Sequence, residues 1–272
     1  MSLGGRLSAT GRGTIRERLV AEVGGYLRNV VREPHVTCAV CATPIKPAFD
    51  LCLRCRLDQH EFGDDLANLV VTVCYGIRGR QSGYLMHSYK DIEAPVKHNQ
   101  TLLSVLLLAA LDLHGGCIEH RLGHKLDAWA FVPSVRTDRI GEHPLHVVAK
   151  RAGLALPEIE LTLGKRADPE RRVTSADRFA LAANSPVRGR HILLLEDTWT
   201  SGANAQSAAL TLRGGEAASV TIVALARWLK PEESLTGKFV VSRLTEDYDP
   251  LVCPVNDPDC TCRNLSRRSS DS

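Results

Sequence analysis

The chain has 272 residues, of which 44% are hydrophobic and 24% are charged, and this composition is typical of a soluble globular protein. The length accommodates one α/β domain of ordinary size together with a smaller appended module. A formal net charge of +3 is too small to predict nucleic-acid binding from bulk electrostatics alone.

The sequence lacks the apolar core of a signal peptide, which favours the cytoplasm. The longest apolar run, residues 102–111, is about half as long as a segment that crosses a bilayer, and Asp112 follows it. It therefore predicts a buried helix in a protein without a membrane partner. In the cytoplasm the nine cysteines are expected to be metal ligands or free thiols.

Residues 1–34 are predicted to form a mobile Gly/Ser/Arg-rich start followed by an amphipathic helix. Thr14 and Glu17 have the spacing of a capping box, which predicts that the helix begins at Thr14. Apolar residues then recur on one face as far as Val31, and we expect this face to pack against the next module.

Residues 35–60 contain two Cys-x2-Cys pairs that are separated by ten residues. Each pair can direct two thiolates at one metal ion, and two pairs complete a tetrahedral site without an open position. Unrelated buried cysteines and a redox pair are the weaker alternatives. The spacing predicts one structural Zn²⁺ bound by Cys38, Cys41, Cys52 and Cys55.

Residues 61–230 alternate apolar strands with helical segments, which is the pattern of an α/β domain with a mainly parallel sheet. A Gly-Gly pair at 115–116 is expected to end one helix, and Ser175 to cap a short helix that ends near Ala183. The predicted strands are residues 69–77, 128–132, 159–163, 192–195 and 219–226, and the other predicted helices are residues 101–114, 145–154 and 203–213.

A tight turn with two arginines follows the predicted strand 128–132. Open α/β sheets bind ligands at the carboxyl ends of their strands. Arg136 and Arg139 are therefore candidates for binding an anionic leaving group, and solvated surface charges are the alternative.

A second strand, residues 192–195, ends in Glu196 and Asp197, and a small-residue loop then opens a helix at Ala203. Loop amides, hydroxyls and a helix N-terminus together form a site for a phosphate. The two acids come too early to contact that phosphate, and we expect them to accept hydrogen bonds from sugar hydroxyls beside it. The segment predicts a ligand that carries a phosphate on a sugar.

This segment resembles the phosphoribosyl pyrophosphate (PRPP) signature of the type I phosphoribosyltransferases. Glu196 and Asp197 match the acids that bind ribose in that family. Asn204 stands where the family usually has Thr or Ser, so that an amide replaces one hydroxyl. The loop residues that the resemblance assigns to PRPP are Thr198, Thr200, Ser201, Gly202, Ala203 and Asn204.

The order of the motifs over residues 35–230 is similar to that of the ComF-type phosphoribosyltransferases, a family linked to DNA uptake. The resemblance implies a Rossmann-like type I phosphoribosyltransferase domain, a small N-terminal zinc-ribbon-like module, and Mg²⁺ bound with PRPP. It also implies that Arg178 matches an arginine upstream of the PRPP strand. The residues that it places near the pyrophosphate are Lys90, Pro133, Ser134, Arg136 and Arg139.

The resemblance implies transfer of a phosphoribosyl group from PRPP to a nitrogen acceptor, with release of pyrophosphate. Glu196 and Asp197 would hold the ribose while C1 becomes cationic, and Arg136 and Arg139 would assist the departure of pyrophosphate. Another 5′-phosphorylated ribose is the other candidate ligand. The acceptor and the oligomeric state stay open.

The chain departs from the family pattern at residues 140–145 and 165–170, and two alternatives follow. One is a non-catalytic regulator that binds PRPP or a nucleotide. The other is an accessory protein of DNA uptake or processing, for which nucleic-acid binding depends on the family analogy alone.

Residues 231–272 are predicted to be a polar, partly disordered tail. The tail carries Cys253, Cys260 and Cys262. These thiols could bind a second metal ion with a ligand from elsewhere, or they could be surface thiols, and their spacing matches no established site.

Overall fold

The chain folds as an α/β structure with helices on both faces of a four-stranded parallel sheet. The computed structural model describes residues 9–90, 95–135, 141–165 and 173–255. The strands are β1 (Leu69–Ile77), β2 (Ala128–Phe131), β3 (Leu161–Leu163), β4 (Phe179–Leu181), β5 (His191–Trp199) and β6 (Ser219–Leu229). The helices are α1 (Ala9–Leu19), α2 (Leu53–Phe62), α3 (Gln81–Ser88), α4 (Val96–Leu122), α5 (Pro144–Arg151), α6 (Ala203–Gly214) and α7 (Ser234–Arg243), with a π-helical turn at Val20–Gly24 and a 3₁₀ turn at Gly63–Asp65.

The main sheet has the strand order β1-β6-β5-β2, and each neighbouring pair is parallel. Ile192 and Leu194 of β5 pack in the cluster that contains α6, whereas Leu193 and Leu195 pack in the cluster on the opposite face with α4 and α5. A strand buried on both faces needs a continuous apolar run, and burial of each leucine side chain contributes roughly 1.5–3 kcal/mol. The apolar run of β5 thus places this strand at the centre of the sheet.

Strand β5 continues beyond its predicted end at Leu195 and contains both acids. The reason is β6, which also extends further than predicted and pairs its Arg227 with Trp199 of β5. Successive side chains of a strand alternate between the two faces. Glu196 and Asp197 therefore leave the sheet on different sides.

Helix α4 is much longer than the predicted helix at residues 101–114. The expectation that the pair at 115–116 would end it is wrong, because the helix continues to Leu122 and is capped by Gly123, which has a φ of 76°. Each glycine within a helix costs about 1 kcal/mol relative to alanine. The buried side chains of Leu111 and Ile118, on either side of the pair, outweigh this cost.

Among the described residues, α4 is the one helix that is long and apolar enough to cross a membrane. Of its most apolar 18-residue window, 67% is buried within the protein. Such burial is typical of a core helix, and length and composition alone are weak evidence for a membrane span.

The helix expected to follow Ser175 is absent from this described part of the chain, and strand β4 takes its place. β4 pairs antiparallel with β3 in a separate two-stranded sheet. Ser175 accepts a hydrogen bond from the amide of Asp177 within a turn. A short apolar run fits either a strand or a helix, and here the pairing with β3 decides between them.

Helix α1 begins at Ala9, before the predicted start at Thr14. Arg12 forms an ion pair of 2.7 Å with Asp112 of α4, which fixes this earlier turn to the core. The helical part ends with the π-helical turn, so that Leu27 and Val30 are buried from an irregular segment instead of from the predicted helix.

Residues 231–255, where a polar tail was expected to begin, contain α7 and two buried aromatic side chains. Phe239 of α7 contacts Tyr75 of β1 edge to face, with ring centroids 5.8 Å apart. Tyr248 is buried in the same core cluster as α4. The chain therefore returns to the sheet after β6.

Candidate functional site

A cleft of about 710 Å³ opens at the carboxyl ends of β5 and β6, where α6 begins. Acids, bases and hydroxyls from β5, β6, the loop before α6 and the residues after α3 line it. Lys90, the two acids of β5 and all six loop residues that the resemblance assigns to PRPP lie together in this cleft. The lining residues that bear on its chemistry are Thr43, His87, Lys90, Arg178, Glu196, Asp197, Thr198, Thr200, Ser201, Gly202, Ala203, Asn204, Arg227, Trp228 and Lys230.

Asp197 is the most strongly held acid of the cleft. The hydroxyl of the buried Tyr89 donates a hydrogen bond of 2.5 Å to Oδ2 of Asp197. The ammonium group of Lys90 forms an ion pair with the same oxygen. Because Tyr89 and Lys90 directly follow α3, the end of this helix positions both partners of the carboxylate.

The two neighbouring acids differ in their charge. Burial by itself would raise the pKa of the Asp197 carboxyl, but Lys90 and Tyr89 stabilise the charged form and hold this pKa below its usual value. Burial and the charge of Asp197 raise the pKa of Glu196 well above its usual value. The pair is therefore a charged Asp197 beside a Glu196 that binds a proton more readily.

The loop before α6 requires glycine at position 202. Gly202 has a φ of 82°, and a Cβ atom there would lie 2.2 Å from the Trp199 ring. Trp199 is almost fully buried, so the ring cannot move aside easily. Trp199, the last residue of β5, therefore packs against Gly202 and leaves no space for a side chain at this position.

Arg227, near the end of β6, holds this loop, although the sequence did not predict a role for this residue. Its buried guanidinium donates hydrogen bonds to the carbonyl oxygens of Trp199 at 2.7 Å and Thr200 at 2.8 Å. A basic residue that ends an apolar strand, as in the sequence Ala226-Arg227, was the available signal.

Asn204, where the resemblance expects Thr or Ser, has a specific partner. Its Oδ1 accepts a hydrogen bond of 2.9 Å from the buried Arg178. The same guanidinium donates to the carbonyl of Val173 at 3.0 Å. The Asn side chain thus connects the first turn of α6 to the residues before β4, and a hydroxyl would not reach as far.

The remaining predicted residues follow β2. The amide of Val132 donates to the carbonyl of Leu195 at 2.9 Å, which brings this segment beside β5. Ser134 is half-buried and is not among the residues that line the cleft. Arg136 and Arg139 lie outside the described residues.

His87 and Trp228 form an aromatic wall at one side of the cleft. Their rings meet edge to face, with centroids 4.9 Å apart. Aromatic faces at the edge of a cleft favour planar ligands.

The four cysteines of residues 35–60 lie close together, as their spacing predicts. The sulfur atoms of Cys38, Cys41, Cys52 and Cys55 are all within 4.8 Å of one another. The amide of Cys55 donates to the sulfur of Cys52 at 3.5 Å, and hydrogen bonds from the neighbouring thiols, above all from Cys41, lower the pKa of Cys38. Four thiols in this arrangement fit a tetrahedral metal ion such as Zn²⁺.

Tyr75 and Arg32 attach this cysteine cluster to the main sheet. The buried hydroxyl of Tyr75 donates to the carbonyl of Ala42 at 2.8 Å. Arg32 donates to the carbonyls of Ala39 at 3.2 Å and of Val70 at 2.9 Å. Thr43, next to Ala42, lines the cleft, so the cluster adjoins the site directly.

A scan against protein-family models finds no family that matches the chain, and a search of curated proteins finds no significant match.

Proposed function

We propose that the cleft binds PRPP and that the protein transfers the phosphoribosyl group to a nitrogen acceptor, with release of pyrophosphate. One observation carries the proposal: two acids near the end of β5 and the small-residue loop at the N-terminus of α6 line a single cleft. The loop amides and the helix dipole favour a 5′-phosphate, while the acids favour ribose hydroxyls. PRPP carries both a 5′-phosphate and ribose hydroxyls.

The contact between Lys90 and Asp197 suggests how the site responds to its ligand. Ribose hydroxyls can donate hydrogen bonds to the Asp197 carboxylate and replace Lys90 as its partner. The ammonium of Lys90, which keeps about a quarter of its side-chain surface exposed (28%), can then bind pyrophosphate oxygens. During transfer the negative charge of Asp197 stabilises the cationic character that develops at C1.

The proposed fold is a Rossmann-like type I phosphoribosyltransferase domain, and the parallel sheet with its ligand cleft at the carboxyl edge supports it. Mg²⁺ would be held mainly by the pyrophosphate oxygens of PRPP, because this ion commonly binds to substrate phosphates with few protein carboxylates. When bound, Mg²⁺ supplies charge neutralisation of the leaving pyrophosphate.

For the cysteine cluster we propose one structural Zn²⁺. The four sulfur ligands fill a tetrahedral shell and leave no position for a substrate. The ion would stiffen the segment that carries Ala42 and Thr43 against β1 and the cleft.

Measurements of PRPP binding and of pyrophosphate release in the presence of nitrogen bases test the proposed activity. We expect PRPP with Mg²⁺ to raise the melting temperature of the protein, and a planar nitrogen base from a broad panel to accelerate pyrophosphate release. The aromatic wall of His87 and Trp228 is the reason for choosing planar acceptors. Absence of any PRPP-dependent shift contradicts the proposal.

A second candidate is a PRPP sensor without turnover. The observation that favours it is the ion pair of Asp197 with Lys90, because an acid already neutralised by a lysine can bind a ribose without catalysing its transfer. PRPP binding with no accelerated pyrophosphate release across the panel would favour the sensor over the enzyme.

A further inference from the structure

A second group of metal-binding side chains lies away from the cleft, between α4 and the segment after α7. His114 and Cys117 are three residues apart on α4 and lie on the same face of the helix. Cys253 approaches them from the C-terminal segment. The ligand atoms of these three residues all lie within 4.8 Å of one another.

The orientation of the His114 ring is the strongest sign that this group is a binding site. Its side chain is buried, with 2% exposed, and Nε2 lies 2.8 Å from the carbonyl oxygen of Pro250. A carbonyl can only accept, so Nε2 carries the proton and Nδ1 has a lone pair. Nδ1 is buried and has no hydrogen-bond partner among the described residues.

A histidine that donates from one ring nitrogen to a carbonyl and offers the other to a metal is a common arrangement in metal sites. A buried nitrogen without a hydrogen-bond partner destabilises the fold unless a ligand binds to it. The two nearby thiols belong to the ligand type that Zn²⁺ prefers alongside imidazole.

The segment that carries Cys253 is held in place by contacts that do not involve the three ligands. Asn29 and Asp249 exchange two hydrogen bonds of 2.8 Å each. Arg32 donates to the carbonyl of Pro254 at 2.7 Å. Cys253 is therefore presented to α4 by a preorganised segment, which reduces the entropy cost of binding an ion.

We propose that His114, Cys117 and Cys253 bind a second Zn²⁺ that fastens the C-terminal segment to α4. Binding releases the thiol protons and joins the ion to two thiolates and one neutral imidazole. A tetrahedral ion takes a fourth donor, and a water molecule can fill that position. This inference does not depend on the proposed PRPP activity.

The test measures zinc and thiol protection in the wild-type full-length chain, purified under reducing conditions. We expect about two zinc ions per chain, as two such sites hold. Cys117 and Cys253 should resist alkylation, and a chelator should expose them, as peptide mass spectrometry can determine. Equal labelling of these two cysteines with and without bound zinc, or a disulfide between them, would overturn the proposal.

The zinc content of two cysteine variants tests whether the proposed residues bind the second ion. Cys253→Ser should lose one zinc ion and retain protection of Cys38 and Cys41. The control is Cys74→Ala, which removes a buried thiol of β1 whose sulfur donates to the carbonyl of Leu225, and it should retain both ions. If Cys253→Ser binds as much zinc as the wild type, the site is not formed as proposed.

Discussion

At the scale of single residues, we expect loss of the contact between Lys90 and Asp197 to lower the stability of the protein substantially. Both side chains are largely buried, and Glu196 adjoins them with a second carboxyl group. Removal of one partner of a buried ion pair leaves the other charge uncompensated.

Lys90→Met should therefore lower the free energy of unfolding at neutral pH by about 3 kcal/mol. In the wild type the lowered pKa of Asp197 contributes stability above the usual carboxyl pKa, and this contribution disappears as the pH falls through the folded-state value. Without Lys90 the pKa of Asp197 should rise instead, so that the variant loses stability as the pH increases from about 4 to 7.

Urea denaturation of both proteins across this pH range measures the difference. The control is Lys230→Met, which removes an exposed cleft lysine paired with Glu233 at 3.7 Å. An exposed pair contributes little, so this variant should stay close to the wild type. A loss for Lys90→Met that does not grow with pH would show that Asp197 does not depend on Lys90.

Gly202 supplies a second residue-scale prediction. Gly202→Ala should cost about 1–2 kcal/mol for the left-handed backbone and about 1–3 kcal/mol more for the collision with Trp199. Gly189 is the matched control, because it has a φ of 71° and a Cβ atom added there would meet no other atom within 4 Å. Urea denaturation that gives both alanine variants the same stability would refute the role of Trp199.

Single residues were predictable where their chemistry is local. Glu196, Asp197 and the loop that follows are recognisable because acids, hydroxyls and glycine stand in one short segment. Arg227 and Tyr89 become part of the site only through the pairing of β5 with β6 and the packing of α3, which no local pattern encodes.

At the scale of elements, the loop between β5 and α6 depends on β6. Arg227→Met removes two charge-assisted hydrogen bonds to the loop and should weaken PRPP binding by about 1.5–3 kcal/mol. Amide hydrogen exchange in residues 200–206 should also become faster. Arg213→Met is the control, because Arg213 donates to carbonyls of Ala217 and Ala218 at the other end of α6.

Both variants are compared by calorimetry with PRPP and by hydrogen exchange. Arg213→Met should retain the affinity and the protection of the loop. If Arg227→Met also retains the affinity and the protection, the loop keeps its conformation without the Arg227 side chain.

Helices and strands were predicted well where the spacing of apolar residues along the sequence agrees with their burial in the structure. Strand β1 has the predicted bounds, and α6 begins at the predicted residue, because a continuous apolar run and a glycine-ended helix leave few alternatives. The Gly-Gly pair within α4 and the strand β4 were missed, since the packing of the core decides both and local propensity is the weaker term.

At the scale of the whole molecule, the cysteine cluster should be coupled to the sheet through Tyr75. Tyr75→Phe leaves the buried carbonyl of Ala42 without this donor and should cost about 1–3 kcal/mol of stability. Zinc content should not change, because no ligand is removed. Tyr26→Phe, which alters a half-buried tyrosine, is the control.

Thermal unfolding and metal analysis of the two variants check this coupling. Tyr75→Phe should melt at a lower temperature than Tyr26→Phe. Equal melting temperatures would mean that the cluster and the sheet are stabilised independently.

The PRPP site is tested most directly by calorimetric titration of PRPP with Mg²⁺ into the wild type, Asp197→Asn and Asp127→Asn. Asp127 accepts a hydrogen bond from His191 at the opposite end of β5 and serves as the control. We predict that the wild type and Asp127→Asn bind PRPP with equal affinity and that Asp197→Asn binds about 10- to 100-fold more weakly. No binding by the wild type, or unchanged affinity in Asp197→Asn, would contradict a PRPP site at the end of β5.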